Sequence, residues 1–453
     1  MLIAAILASS AVTAYCGWSL RDFALDDAFI TYRYARNVAD GYGLVFHPGE
    51  PVLGTSTPGY TFLLAGLHHL SGASIPTLSK VLGCTFAALA GVLLATLLSP
   101  TVHWGAAVIA AALLASNPVL QLTAGMEAPL YVVLIVLLFV LCERRQPLAV
   151  GFVLGVAVLV RLDALALTVL PIWTWLRAED RTRAWLHVGG AAFAVVLPWT
   201  LYASYVYGSP IPSSLHAKQH LYDVLPQAEP HRLFLRGFFD LPYWLVRVNP
   251  ALALLVPIVL VGAVQCVRRK ASWSSALGIW TVAYLIAFEW ADLPNLSIWY
   301  WAPFQVLFVV CMTFAIDAAV QFARGANSPW AWGATASLCA MAIGAQLATA
   351  TMVGAPPRAS AYRAIGESLK CHAVDDATIA TWEIGIVGYY SQCRILDFAG
   401  IVTPSSVGHT PDTLIEHHQP NWVVGHPHAG YELWRDFPTH ESMLPPVAVY
   451  RLR

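Results

Sequence analysis

Apolar runs of about 18 residues or more recur along most of this chain, and they restrict what it can fold into. A helical run of that length crosses a hydrocarbon core of about 30 Å, and a helix satisfies its own backbone polar groups where no water can. With 58% hydrophobic and 11% charged residues over a length of 453, and a mean hydropathy of +0.61, the chain does not read as a soluble enzyme. A polytopic α-helical membrane protein is expected. The formal net charge of −1 points neither to nucleic-acid binding nor to a disordered acidic tail.

Eleven segments are placed as crossings: 1–20, 76–98, 104–123, 128–142, 148–161, 164–177, 184–206, 250–267, 273–290, 301–320 and 329–353. The first lacks a basic leader and a small-residue cleavage site before the acidic pair that follows, so it reads as a retained helix. Basic clusters at Arg144 and Arg145, at Arg177, Arg181 and Arg183, at Arg268, Arg269 and Lys270, and at Arg324 all fall on the cytoplasmic side if the N-terminus is cytoplasmic. Four regions then face outward: Arg21 to Ile75, the turn Gly125 to Glu127, Tyr207 to Asn249, and everything after Gly354. Residues 148–176 carry basic clusters at both ends that want the same side, so two short helices are expected there. Their turn holds Arg161 and Asp163 near the outer face, shielded from lipid.

The chain therefore divides into a membrane module, residues 1–354 with a first external loop at 21–75, and an extracytoplasmic domain at 355–453. Thr57 to Leu70 is apolar but too short to span, and reads as an interfacial helix. Beyond Pro356, segments such as "ATIATW" and "NWVVG" suggest strands of a small α/β domain. Cys371 and Cys393 lie in this polar part, where a disulfide would imply an oxidising compartment.

The chemistry-bearing stretch is "LDDAFITYRYARNVADGYG", Leu25 to Gly43, read as a helix with Asp26 or Asp27 at its N-cap and Gly41 at its stop. Residues seven apart share a stripe, so Asp26 and Arg33 face one way, with Arg36 close by. An acid beside two guanidinium groups suits a site that handles an anion and a proton together, and it equally suits a capping acid with lipid-anchoring arginines. Glu127, the Arg161 and Asp163 pair, and Lys218 in "SPIPSSLHAKQH" are further outward-facing candidates. Trp299, Tyr300 and Trp301 fit an aromatic belt. The C-terminal histidines lack metal-ligand spacing, and no phosphate-binding loop, nucleophile elbow, dinucleotide fingerprint or HExxH occurs in the required context.

The stretch "DDAFITYRYARNVADGYGLVFHPGEPVLGTSTPGYTFLLAGLHHL" (Asp26 to Leu70) resembles the first external loop of the GT-C glycosyltransferase superfamily, above all bacterial arabinofuranosyltransferases and mannosyltransferase-like membrane proteins. "AGMEAPL", "VRLDAL", "GSPIPSSLHAK" and "IGIVGYYSQCRILDFAGIVTP" look like later motifs of that superfamily. The resemblance implies transfer of a sugar, with inversion, from a polyprenyl-phosphate donor to a glycan, lipid or protein acceptor at the outer face of a bacterial inner or plasma membrane. On that pattern Asp26 would be the base or a metal-linked acid, with Mg or Mn as the divalent cation, and Asp27 its alternative or helper. Arg33, Arg161 and Lys218 would neutralise the phosphate leaving group, with Arg36 and Asp163 beside them, and Glu127 would orient acceptor or sugar. Membrane lipids are the other expected partner, and a lipid-linked-saccharide flippase or non-catalytic binder is the alternative. The chain departs from the pattern at Leu162, Ala164, Ser213, Ser214 and His47.

Overall fold

The computed structural model describes the chain apart from residues 177, 225–233, 270–271, 291–296, 371–376 and 440–444. Two compact units emerge, each assembled from three stretches of chain. Unit 1 comprises Met1–Asp22, Ser79–Leu197 and Leu233–Gly354, and unit 2 comprises Phe23–Leu78, Pro198–Arg232 and Ala355–Arg453.

Unit 1 is helical, and each of the eleven expected segments contains helix. Among the described residues, seven helices are long and apolar enough to cross a membrane: Leu2–Ser19, Ile75–Leu98, Trp104–Leu122, Arg181–Tyr207, Pro250–Arg269, Gln305–Ala326 and Pro329–Met352. The protein is thus a multi-pass membrane protein. Three apolar helices, Ala128–Glu143, Pro147–Val160 and Leu162–Trp175, are shorter, so length and composition alone do not establish eleven crossings. Small residues let the helices approach closely: a Cβ on Gly262 would lie 1.7 Å from the carbonyl oxygen of Cys311 on a neighbouring helix.

The break expected after residue 160 is present. Arg161 is extended (φ −153°, ψ 129°), Leu162–Thr168 is a 3₁₀ turn, and Val169–Trp175 resumes as α-helix. Arg161 Nη1 donates to Glu127 at the start of Ala128–Glu143, whereas Arg145 beyond its end donates to the carbonyl of Thr174. The two short helices therefore run out and back along a third of about 24 Å, as a hairpin must. At the basic end, Arg269 pairs with the fully buried Asp317 at 2.6 Å and donates to the carbonyl of Thr101.

Unit 2 gathers the loop after the first helix with the C-terminal segment. Its first-loop helix, Asp26–Ala39, has Leu25 at the N-cap and no side-chain cap, so neither acid caps its own helix as the sequence suggests. Gly41 follows at φ +85° as the expected stop. Pro58–Ser71 is helical, close to the expected 57–70. Among the described residues the C-terminal segment has five strands: β1 (Thr378–Thr381), β2 (Arg394–Asp397), β3 (Trp422–Val424), β4 (Tyr431–Phe437) and β5 (Val447–Leu452). Their order is β2-β1-β3-β5-β4, with β1 parallel to β2 and β3, and the rest antiparallel. The short helix Gly385–Ser391 joins β1 to β2 as the crossover that parallel strands require. Ile379, Ala380, Leu396 and Val423 form the buried centre. The expected Cys371–Cys393 pairing lies outside the described residues at Cys371, and Cys393 is buried.

Candidate active site

Asp26 and Arg33 do share a stripe, and what they face is the short helix Gly385–Ser391. Both oxygens of Asp26 accept backbone N–H groups at its start, from Gly385 at 2.8 Å and Ile386 at 2.7 Å. Seven residues on, Arg33 donates to the carbonyls of Gly388 (2.9 Å) and Cys393 (2.8 Å) at its far end. Seven helical residues rise about 10.5 Å, and the clamped helix is itself seven residues long, so the spacing matches its length. An anion stands at the positive end of the dipole and a cation at the negative end. Position 385 must be glycine, because a Cβ there would lie 1.9 Å from the backbone oxygen of Asp26.

Arg33, expected among the groups that neutralise phosphate, is 2% exposed, stacks 4.3 Å above Phe46 and has committed both terminal nitrogens to backbone. Burial lowers its guanidinium to about 9. Arg36 is half-exposed, 3.7 Å from Asp40 and close to the Tyr389 ring. His47, one of the departures from the family pattern, accepts the N–H of Ile395 at 2.9 Å; burial pushes it down to about 3, so it stays neutral.

Three carboxyl groups meet at the start of the clamped helix. Burial raises Asp26 to about 6, opposed by the Ile386 N–H and reinforced by the charge of Asp27. Glu383 is raised well above its ordinary value, by crowding among protein atoms and then by the charges of Asp26 and Asp27, although its outer surface meets solvent. Asp26, at about 6, is ionised at neutral pH. Asp27 is also raised by burial, and the nearby Lys218 ammonium opposes this. Lys218 is carried by the helix Ser213–Val224, whose first residue is fixed in place. The N–H of Ser213 donates to the Leu53 carbonyl at 2.8 Å, and its hydroxyl donates to the Ile401 carbonyl at 2.7 Å. Ser213, read from sequence as a departure, is thus the anchor of the lysine helix.

Unit 1 holds a second centre. Arg161 Nη1 donates to Glu127 at 2.7 Å, its Nε to Asp163 at 2.9 Å, and the rings of Tyr131 and Tyr300 flank the guanidinium at 5.5 and 5.2 Å. The Tyr284 hydroxyl donates to Asp163. Glu127 occupies the N-cap position of its helix, yet its carboxylate accepts from Arg161 and caps nothing.

Sequence reasoning missed Glu383, Tyr284 and Tyr131. Glu383 had a signal: it follows the parallel strand β1, and the carboxyl ends of such strands are where open α/β sheets bind ligands. Tyr284 and Tyr131 lie inside apolar helices and give none. Among the described residues no group of three or more His, Cys, Asp or Glu is placed to hold a metal ion. With no such group among the described residues, the donors around Asp26 do not make a site for the expected divalent cation.

Two crystal structures of ArnT from Cupriavidus metallidurans, one bound to undecaprenyl phosphate and one in the apo state, superpose on this chain with TM-scores of 0.65 and 0.64. Each alignment covers 98% of this chain and 97% of ArnT at 13% sequence identity. The chain has an ArnT-like fold. Residues 350–450 also match a family model described as a domain of unknown function, DUF8728. A search of curated proteins finds no match to the sequence.

Proposed function

We propose that the protein is a lipid-linked-sugar glycosyltransferase, moving a sugar from a polyprenyl-phosphate donor to an acceptor hydroxyl at the outer face of the membrane. The observation that carries this reading is the acid group of unit 2, in which Asp26 is ionisable near neutrality, fixed by two N–H groups, and neighbour to a second acid that feels the charge of Lys218. The ArnT-like fold over nearly the whole chain supports it, since ArnT is a protein that binds undecaprenyl phosphate.

Asp26 is the base. A carboxylate near 6 is ionised at neutral pH yet basic enough to take a hydroxyl proton as the bond to the sugar forms, and each of its oxygens retains a second lone pair after accepting one N–H. As the anomeric carbon accepts the acceptor oxygen on one face, the donor phosphate departs from the other with the bonding pair, giving inversion. That leaving group carries its own charge and needs cations more than a proton, a role assigned to Lys218, with Asp27 holding the ammonium in place. Glu127, Arg161 and Asp163 form the sugar- or acceptor-orienting centre of unit 1. Arg33 is a positioning residue, through the helix it clamps.

Replacement Asp26→Asn keeps the side-chain shape and is expected to lower transfer about 10²- to 10⁴-fold, measured with purified protein and polyprenyl-phosphate sugars. The wild-type rate should rise with pH through an inflection near 6 that the variant lacks. Turnover by the variant equal to wild type sinks the assignment.

A further inference from the structure

The basic end of unit 1 carries two cavities that the transfer reading does not use. The larger, about 490 Å³, is lined by Phe139, Leu170, Trp173 and Leu176 together with Arg145. The second, about 440 Å³, is lined by Leu97, Val140, Ser99 and Thr101 together with Arg144. Glu143 and Trp273 line both and so divide them. Each lies within the size range of a small-molecule site.

The turn between Ala128–Glu143 and Pro147–Val160 explains why adjacent arginines serve different cavities. Arg145 sits at φ +53°, a backbone region that favours glycine. Its own N–H donates to the Cys142 carbonyl at 3.0 Å and its Nη1 to the Thr174 carbonyl at 2.7 Å, which fixes the guanidinium beside the larger cavity. Arg144 and Arg145 are both exposed, and with Glu143 the formal charge of the turn is +1. Arg269 adds nothing to this sum, because Asp317 neutralises it.

We propose that this end of unit 1 binds an anionic glycerophospholipid, its phosphate held between Arg144 and Arg145 and its upper acyl chains seated in the two cavities that Trp273 divides. The net +1 of the turn matches the single negative charge of such a headgroup. Guanidinium forks bind phosphate oxygens in pairs, and basic pockets between membrane helices on the cytoplasmic side suit lipid headgroups. The apolar residues lining the two cavities, Phe139, Leu170, Leu176 and Trp273 among them, make a free phosphate the poorer fit, since it would leave them empty. Trp173, 40% exposed, belongs to the interfacial class of aromatic residues.

The test uses the full chain, purified in neutral detergent, stripped of lipid and returned to vesicles of equal palmitoyl-oleoyl phosphatidylglycerol and phosphatidylcholine, with retained lipid read by native mass spectrometry. Wild type is expected to retain phosphatidylglycerol over phosphatidylcholine by roughly tenfold or more, and Arg144→Gln with Arg145→Gln to bring that ratio close to one. The charge-conserving pair Arg144→Lys and Arg145→Lys should keep most of the preference. Equal retention of the two lipids by wild type overturns the proposal without recourse to any variant. So does displacement of bound phosphatidylglycerol by millimolar inorganic phosphate, which would identify a phosphate site with no use for the cavities.

Discussion

In unit 1 a single guanidinium faces two carboxylates and a tyrosine hydroxyl, all within 12% exposure on the charged members. In unit 2 three carboxyl groups crowd together, with the charge of Lys218 acting on Asp27 and that of Arg358 on Glu383. The first centre is held by hydrogen bonds between unlike charges and has one arrangement. The second has more acid than base, and burial raises all three of its carboxyl groups. A centre of the first kind orients and a centre of the second kind exchanges protons, which is why binding is assigned to one and base catalysis to the other.

The largest expected break in this contrast is Arg161→Gln. It strands Glu127 and Asp163 in a buried site and should cost about 3–5 kcal/mol, visible as a lowered thermal midpoint in detergent. Gly385→Ala comes next: its methyl would drive the clamped helix off Asp26, an overpacking cost of roughly 1–3 kcal/mol, read by limited proteolysis of unit 2. The acid-rich centre should respond to pH in a way the ion-paired centre does not. The folded-state value of Asp26, about 6, lies above its ordinary 3.8, so folding takes up a proton between those limits. Acidifying from about 6 to about 4 is therefore expected to raise the stability of unit 2 while transfer falls, because the base is being protonated. Asp27→Asn removes a charge that raises Asp26, so the inflection in rate should move below 6. The smallest effect belongs to Arg36→Gln: its partner Asp40 is exposed and 3.7 Å away, and a loss under about 0.5 kcal/mol is expected. A tenfold loss of transfer in that variant would bring Arg36 into the site.

Much of this architecture was legible because membrane helices announce themselves by length and charge bias. The hairpin at Arg161 followed from basic residues on both sides of an overlong apolar run, and the stripe of Asp26 and Arg33 followed from helical spacing. The object that the stripe faces did not follow. Nothing local to residues 26–33 says that a helix more than 350 positions away completes it, and the N-cap role read for the acid was right in kind but assigned to the wrong helix. Glu383 sat one residue before the quoted C-terminal motif, and its meaning depends on Asp26 being beside it. Ser213 looked like a lost asparagine and proves to be a tether, since its two carbonyl partners come from distant loops.

The clamp between the first-loop helix and Gly385–Ser391 also sets a limit on dissection. A chain cut ahead of residue 355 would keep all seven long apolar helices found among the described residues, yet expose the guanidinium of Arg33 and release the carboxylate of Asp26 from the two amides that aim it. The C-terminal segment is part of what holds the first-loop acids rather than an addition to them. The carboxylate of Asp26 is given direction by the last quarter of the polypeptide, so translation must reach that far before the first-loop acids can be set in place.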